Sequence, residues 1–95
     1  MDRNGYNESL FGNEKKCQIT GQYNCDLVRH EVFFGTANRK LSKEWGCWAY
    51  LTPEAHRKVH ADRKTDLELK AECQRAFETK YGHDKFMAIF GRNYL

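Results

Sequence analysis

The chain has 95 residues, 40% of them apolar and 14% aromatic, which is enough for one modest hydrophobic core and too little for two. Sixteen Lys and Arg against thirteen Asp and Glu leave a formal charge of +3, a balance that permits a polyanionic partner without demanding one. No apolar run approaches the roughly 20 residues that cross a bilayer. The polar start MDRNGYNESLFGNEKK also lacks the apolar stretch of a signal peptide, so membrane and secreted readings are set aside and a cytoplasmic protein is expected.

Residues 1–12 contain two Gly and two Asn with no periodicity, and are expected to form a flexible N-terminal arm on a single domain spanning 13–95. A turn follows over Lys15 to Asn24. Leu27-Val28-Arg29-His30-Glu31-Val32-Phe33-Phe34, rich in β-formers and closed by Gly35, is expected as the first strand. Thr36 to Glu44 is polar and basic without a β pattern and is expected as a loop. Trp45-Gly46-Cys47-Trp48-Ala49-Tyr50-Leu51 is expected as the second strand.

Helical signals dominate the remainder. Thr52 is a good N-cap, and Pro53, the only proline, suits the first helical position where its missing N–H costs nothing, which predicts a helix over 53–61. Thr65 with Glu68 reads as a capping box opening a second helix, along which Leu69, Cys73, Ala76 and Phe77 fall at helical spacing before the stop at Gly82. A short third helix is expected from Asp84 to Phe90, with His83 before it as a cap or surface residue. The fold class is therefore α+β: a strand pair and helix over about 17–61, then C-terminal helices over about 65–91. Phe33, Trp48, Leu51, Leu69, Phe77, Phe86 and Phe90 are the expected core.

The four cysteines, Cys17, Cys25, Cys47 and Cys73, are spaced by 8, 22 and 26 residues with no C-x-x-C among them. In a reducing compartment they read as small buried apolar residues rather than as disulfides or a four-thiolate zinc site.

The histidines carry the functional signal. His56 and His60 lie four apart on the expected first helix, which puts both imidazoles on one face with Cβ atoms about 5–6 Å apart, close enough to share a metal ion. His30, followed at once by Glu31, sits on a strand that can pack against that helix and offer a third ligand and a carboxylate. Imidazole with carboxylate suits one divalent ion, Mg, Mn, Zn or Ni. The alternative is that His30 hydrogen-bonds within the sheet while His56 and His60 face water. Arg29, Arg39, Lys40 and Lys43 near the first strand, and Arg57, Lys58 and Arg63 near the helix, read either as phosphate contacts or as a solvated surface. Trp45 and Trp48 read as core or as base-stacking groups.

A histidine-bearing strand, a connection, a second strand ending in Leu and a helix with H-x-x-x-H together resemble the HNH, or ββα-metal, endonuclease motif over residues 17–61. The run HEVFFGTANRK, with the downstream DLELK and FGRNYL segments, is similar to small HNH nucleases of phages and prophages, which extends the resemblance over most of 17–95. The resemblance implies that His30, His56 and His60 bind one divalent ion, that Glu31 (or His30) is the base, and that Arg57, Lys58, Arg29 and Arg39 hold phosphate. DNA is the implied substrate and a bacterial host cytoplasm the implied location. The chain departs from the family pattern in three respects. Thr20, Thr52 and Ala55 stand at three of the four zinc-knuckle thiolate positions, leaving Cys17 alone, so no structural zinc is expected. Cys47 stands nine residues before His56, where the family has Asn, and Glu31 replaces a histidine base. Those departures imply a second reading, a catalytically impaired HNH-fold binding protein such as a phage-made inhibitor or accessory factor for a host or phage protein.

Overall fold

β-Forming residues pair where the sequence places them, over a shorter span than expected. In the computed structural model, which describes residues 1–23 and 26–95, β1 (Val28–Glu31) runs antiparallel to β2 (Trp48–Leu51). Their register sets Val28 opposite Leu51, Arg29 opposite Tyr50, His30 opposite Ala49 and Glu31 opposite Trp48. Because strand side chains alternate, Val28, His30, Ala49 and Leu51 share one face, and Arg29, Glu31, Trp48 and Tyr50 share the other. Asn24 and Cys25, the end of the expected turn and one of the four cysteines, lie outside the described residues.

The segment expected as a loop is a helix, α1 (Thr36–Glu44). Its composition hid this, because only Leu41 and the buried Ser42 turn inward, and one apolar residue makes no periodic signal. Ser42 fixes the helix to the end of the first strand: its hydroxyl donates to the Phe33 carbonyl at 2.7 Å and accepts from the Phe33 N–H at 3.1 Å. Trp45 caps α1 and Gly46 follows at φ 71°, so both belong to the helix exit and the strand begins at Trp48.

Three helices follow: α2 (Pro53–Ala61), α3 (Arg63–Tyr81) and α4 (His83–Phe90). Thr52 caps α2 as expected, its hydroxyl accepting from the Ala55 N–H at 3.1 Å. The start of α3 is a correction. Asp62 is the cap, accepting from the Lys64 N–H at 3.3 Å and from the Thr65 hydroxyl at 2.6 Å, so Thr65 is a donor inside the first turn and no capping box forms. His83 opens α4, with Nδ1 2.7 Å from Glu78 Oε2 at the end of α3. No helix among the described residues is long and apolar enough to cross a membrane.

The core lies between the sheet and the helices. Phe33, Leu51, Val59, Cys73, Phe77 and Phe86 are all almost fully buried. Phe86 packs at 5.4 Å from both Phe33 and Phe77, and the half-buried Phe90 closes on Phe33 at 4.6 Å. Trp48, also buried, belongs to the opposite side of the sheet, under residues 1–12. That segment, expected as a flexible arm, lies along α1 and β2: Asn7 N–H donates to Lys43 O at 2.9 Å and Leu10 N–H to Gly46 O at 2.9 Å. Asn7 O accepts from the Trp48 indole at 2.7 Å.

Cys17, Cys47 and Cys73 are buried free thiols, matching their reading as small apolar residues. The turn after Cys17 and the start of α2 meet at Cys17, whose sulfur accepts the Thr20 N–H at 3.5 Å and the Thr52 N–H at 3.4 Å. Burial pushes this thiol up, but the Thr20 hydroxyl and the backbone N–H groups of Thr20, Thr52 and Ile19 outweigh it and bring it down to about 7.

Truncation of Phe77 or Phe86 to Ala is expected to cost about 3–5 kcal/mol, a large share of the stability of so small a domain, read as a fall in the urea midpoint. A methyl group on Gly46 would run into the Glu8 carbonyl oxygen at a backbone angle that L-residues avoid. Gly46→Ala is therefore expected to cost about 1–3 kcal/mol and to open residues 1–12 to protease at native temperature. Unchanged cleavage kinetics in that variant would contradict the packing of the segment.

Candidate metal centre

Alternation along β1 turns His30 inward, opposite a residue as small as Ala49, and leaves space for a helix bearing imidazoles. α2 fills that space. Its i, i+4 spacing stacks His56 and His60 on the face toward His30, and one ring nitrogen from each of the three lies within 4.8 Å of the other two. The ring centroids are 5.1 Å apart for His30 and His56, 5.3 Å for His30 and His60, and 4.8 Å for His56 and His60. The Nε2 atoms of His56 and His60 approach to 3.2 Å.

His30 is 2% exposed, and its Nε2 is buried with no hydrogen-bond partner. The alternative reading, in which it bonds within the sheet, is therefore not met at this nitrogen, and a buried, unpartnered polar atom needs an explanation. Burial first, then the positive charges that His56, His60 and Lys70 can present, hold its pKa down to about 3. The imidazole is therefore neutral at physiological pH with a lone pair to give. Partial burial and then His60 lower His56 as well, while Glu31 pulls the other way. Three converging imidazoles with an orphaned buried nitrogen among them fit a divalent metal ion.

Phe34, Asp66 and Lys70 surround this group, and the sequence reading missed all three in that role. The Phe34 ring lies 5.1 Å from His60 and 5.9 Å from His30, and the Lys70 ammonium stands over the same Phe34 ring, 4.1 Å from its centroid. Lys70 is paired with Asp66 at 2.9 Å in a sheltered position, and Asp66 Oδ1 is, after His30 Nε2, a second buried polar atom without a hydrogen-bond partner. Phe34 was visible as the end of the apolar run after Glu31. Nothing in the sequence announces the other two, because their placement depends on how α3 is rotated against α2.

The remaining expected site residues divide. Glu31 lies on the opposite face of β1, half-buried, where it interacts with the Tyr6 phenol; burial first and then Glu31 raise the Tyr6 pKa. Its charge is nonetheless felt at His56, so it stands beside the imidazole group without joining it. Arg39 shares a recess of about 430 Å³ with Glu31. Arg29 shares the Glu31 face and points away from the imidazoles: it pairs with Asp2 at 2.7 Å and stacks on Tyr6 and Trp48 at 4.6 and 5.0 Å. Arg57 lines a separate recess with Asp26 and Glu54, and the exposed Lys58 lies toward Asp62 at the end of α2. Arg57 and Lys58 thus do not gather with Glu31, whereas Arg29 meets the same Tyr6 ring that Glu31 does.

No family model matches the chain, no curated protein matches it, and no solved structure matches it.

The depressed pKa of His30 gives the metal-free protein an acid-sensitive stability. Unfolded, this histidine takes up a proton near its ordinary value of 6.5, whereas folded it does so only near 3. Between those values the unfolded chain binds the extra proton, so stability is full above 6.5 and falls as the pH drops toward 3. Chelator-treated protein is expected to melt lower at pH 5.5 than at pH 7.5, and His30→Gln to show a weaker dependence. Equal melting at both pH values would contradict a buried, neutral His30.

Proposed function

We propose that the chain is a metal-dependent endonuclease of HNH type that hydrolyses phosphodiester bonds in DNA. The observation that carries this reading is the convergence of His30, His56 and His60 around an imidazole nitrogen that has no protein partner. In this reading those three residues hold one divalent ion, and three imidazoles favour zinc or nickel over magnesium. When bound, such an ion supplies Lewis acidity toward a phosphoryl oxygen.

The chain's own groups then take distinct parts. Glu31 is the base that receives the proton of the attacking water, oriented by its contact with the Tyr6 phenol. His30 is the poorer base of the two, since a group held to about 3 accepts protons weakly at neutral pH. Arg39, sharing the Glu31 recess, is placed to hold a phosphate and to offset charge developing on it. The α+β order of two strands and a helix supports the HNH comparison at the level of architecture. The setting that goes with this reading is the cytoplasm of a bacterial host, with the protein made by a phage or prophage.

Calorimetric metal titration and a plasmid-nicking assay test the proposal together. His56→Ala and His60→Ala are each expected to abolish metal binding while keeping the fold. Glu31→Ala is expected to keep metal binding and to lose about 10²–10⁴-fold in cleavage rate, the usual worth of a positioned base. Cleavage that survives His56→Ala with His60→Ala would overturn the mechanism. A wild-type protein that binds metal and cuts no DNA would instead support the catalytically impaired binding protein.

A further inference from the structure

α1 has no place in the strand and helix that carry the histidines, yet it presents a built face of its own. Thr36, Arg39, Lys40 and Lys43 stand at i, i+3, i+4 and i+7, so the helix aligns them on one side, with Ser42 buried on the other. Thr36, Arg39 and Lys40 are exposed and Lys43 is half-exposed. All four border the recess of about 430 Å³ that Glu31 also lines. The acidic groups here do little to neutralise the face: Glu44 reaches Lys40 only at 4.0 Å, with the lysine side chain 83% exposed, a geometry of small energetic weight. Lys43 is steadied over the Tyr6 ring at 4.9 Å, the same ring whose phenol meets Glu31.

We infer that this face of α1 is the track on which one strand of nucleic acid lies, with Arg39, Lys40 and Lys43 each taking a backbone phosphate and leading the strand to Glu31. From Arg39 to Lys43 the helix rises four residues, about 6 Å. At about 3.4 Å of axial rise per phosphate of one strand, that length matches about three consecutive phosphates, one for each cation. Phosphodiester is favoured over an acidic protein because the three cations lie along one side of a straight helix over a length that matches consecutive backbone phosphates. The inference assigns the substrate path to α1 rather than to Arg57 and Lys58 on α2. It rests on the proposed phosphodiesterase activity only for what happens to the strand on arrival.

Binding is therefore measured without metal, so that the track and the metal chemistry fail separately. The probe is a fluorescent 12-nucleotide DNA single strand of mixed sequence, titrated with full-length protein in chelator at several salt concentrations. For single strands the slope of log affinity against log salt is about −0.7 per phosphate neutralised, so Arg39→Ala/Lys40→Ala/Lys43→Ala is expected to make the slope shallower by about 2. Arg39→Gln/Lys40→Gln, which leaves Lys43 on Tyr6, is expected to make it shallower by about 1.4 at an unchanged melting temperature. Arg57→Ala/Lys58→Ala is expected to leave it within about 0.3. An equal loss per charge from α1 and α2 variants would overturn the track, as would a slope unmoved by the α1 variants. Wild-type protein that binds polyglutamate and not the oligonucleotide would overturn it in favour of an acidic protein partner.

Discussion

Burying the His30 imidazole with one nitrogen unpartnered is the constraint around which the rest is arranged. Leaving a buried polar atom unsatisfied costs about 1–3 kcal/mol, a sizeable fraction of the stability of a 95-residue domain. The fold accepts that cost at a point where two more imidazoles arrive from a different element. The four-residue strands, the small Ala49 opposite His30 and the Thr52–Pro53 start of α2 all serve to set the helix at one distance and one rotation from the sheet. A shift of one residue in the β1 register would turn His30 to the face now occupied by Arg29 and Glu31, and the convergence would be lost.

The scaffold that holds this arrangement depends on packing and hydrogen bonds in several layers. Phe33, Phe77 and Phe86 fill the interior, and Ser42 ties α1 to the residue next to the imidazole wall at Phe34. Cys17 takes two backbone N–H groups on its sulfur and so joins the N-terminal turn to the cap of α2. Residues 1–12 cover the far side of the sheet and bring Tyr6 to Glu31, so the segment farthest in sequence from α2 helps to place the candidate base. Metal ligands on one face and base on the other are thus supported by separate sets of contacts. Changes that disturb one can leave the other intact.

Much of this was legible because strong local signals coincided with the elements that matter. The β-rich run through His30, the threonine and proline before His56 and the glycines at 82 and 91 each announce an element without tertiary help. The histidine convergence could be expected from spacing on α2 and the adjacency of strand and helix. What the sequence concealed was tertiary in origin. α1 buries too little to show a period, Asp62 displaced Thr65 as the α3 cap, and the path of residues 1–12 is written in backbone hydrogen bonds that no side-chain pattern encodes. Asp66, Lys70 and the turning of Arg29 toward Asp2 depend on how elements rotate against one another. Charges near the histidines in sequence, such as Arg57, consequently lie apart from Glu31 in space, while Arg39, seventeen positions before His56, lies next to it.

The most direct test of the central claim is X-ray absorption spectroscopy of the protein loaded with one equivalent of zinc. Convergence of His30, His56 and His60 predicts a first shell of nitrogen and oxygen scatterers near 2.0–2.1 Å, with the outer-shell pattern of three imidazole rings that falls to two in His30→Ala. A first shell containing sulfur near 2.3 Å would place the metal at the cysteines, and an imidazole count unchanged by His30→Ala would remove the strand ligand from the site. Either result would contradict the account.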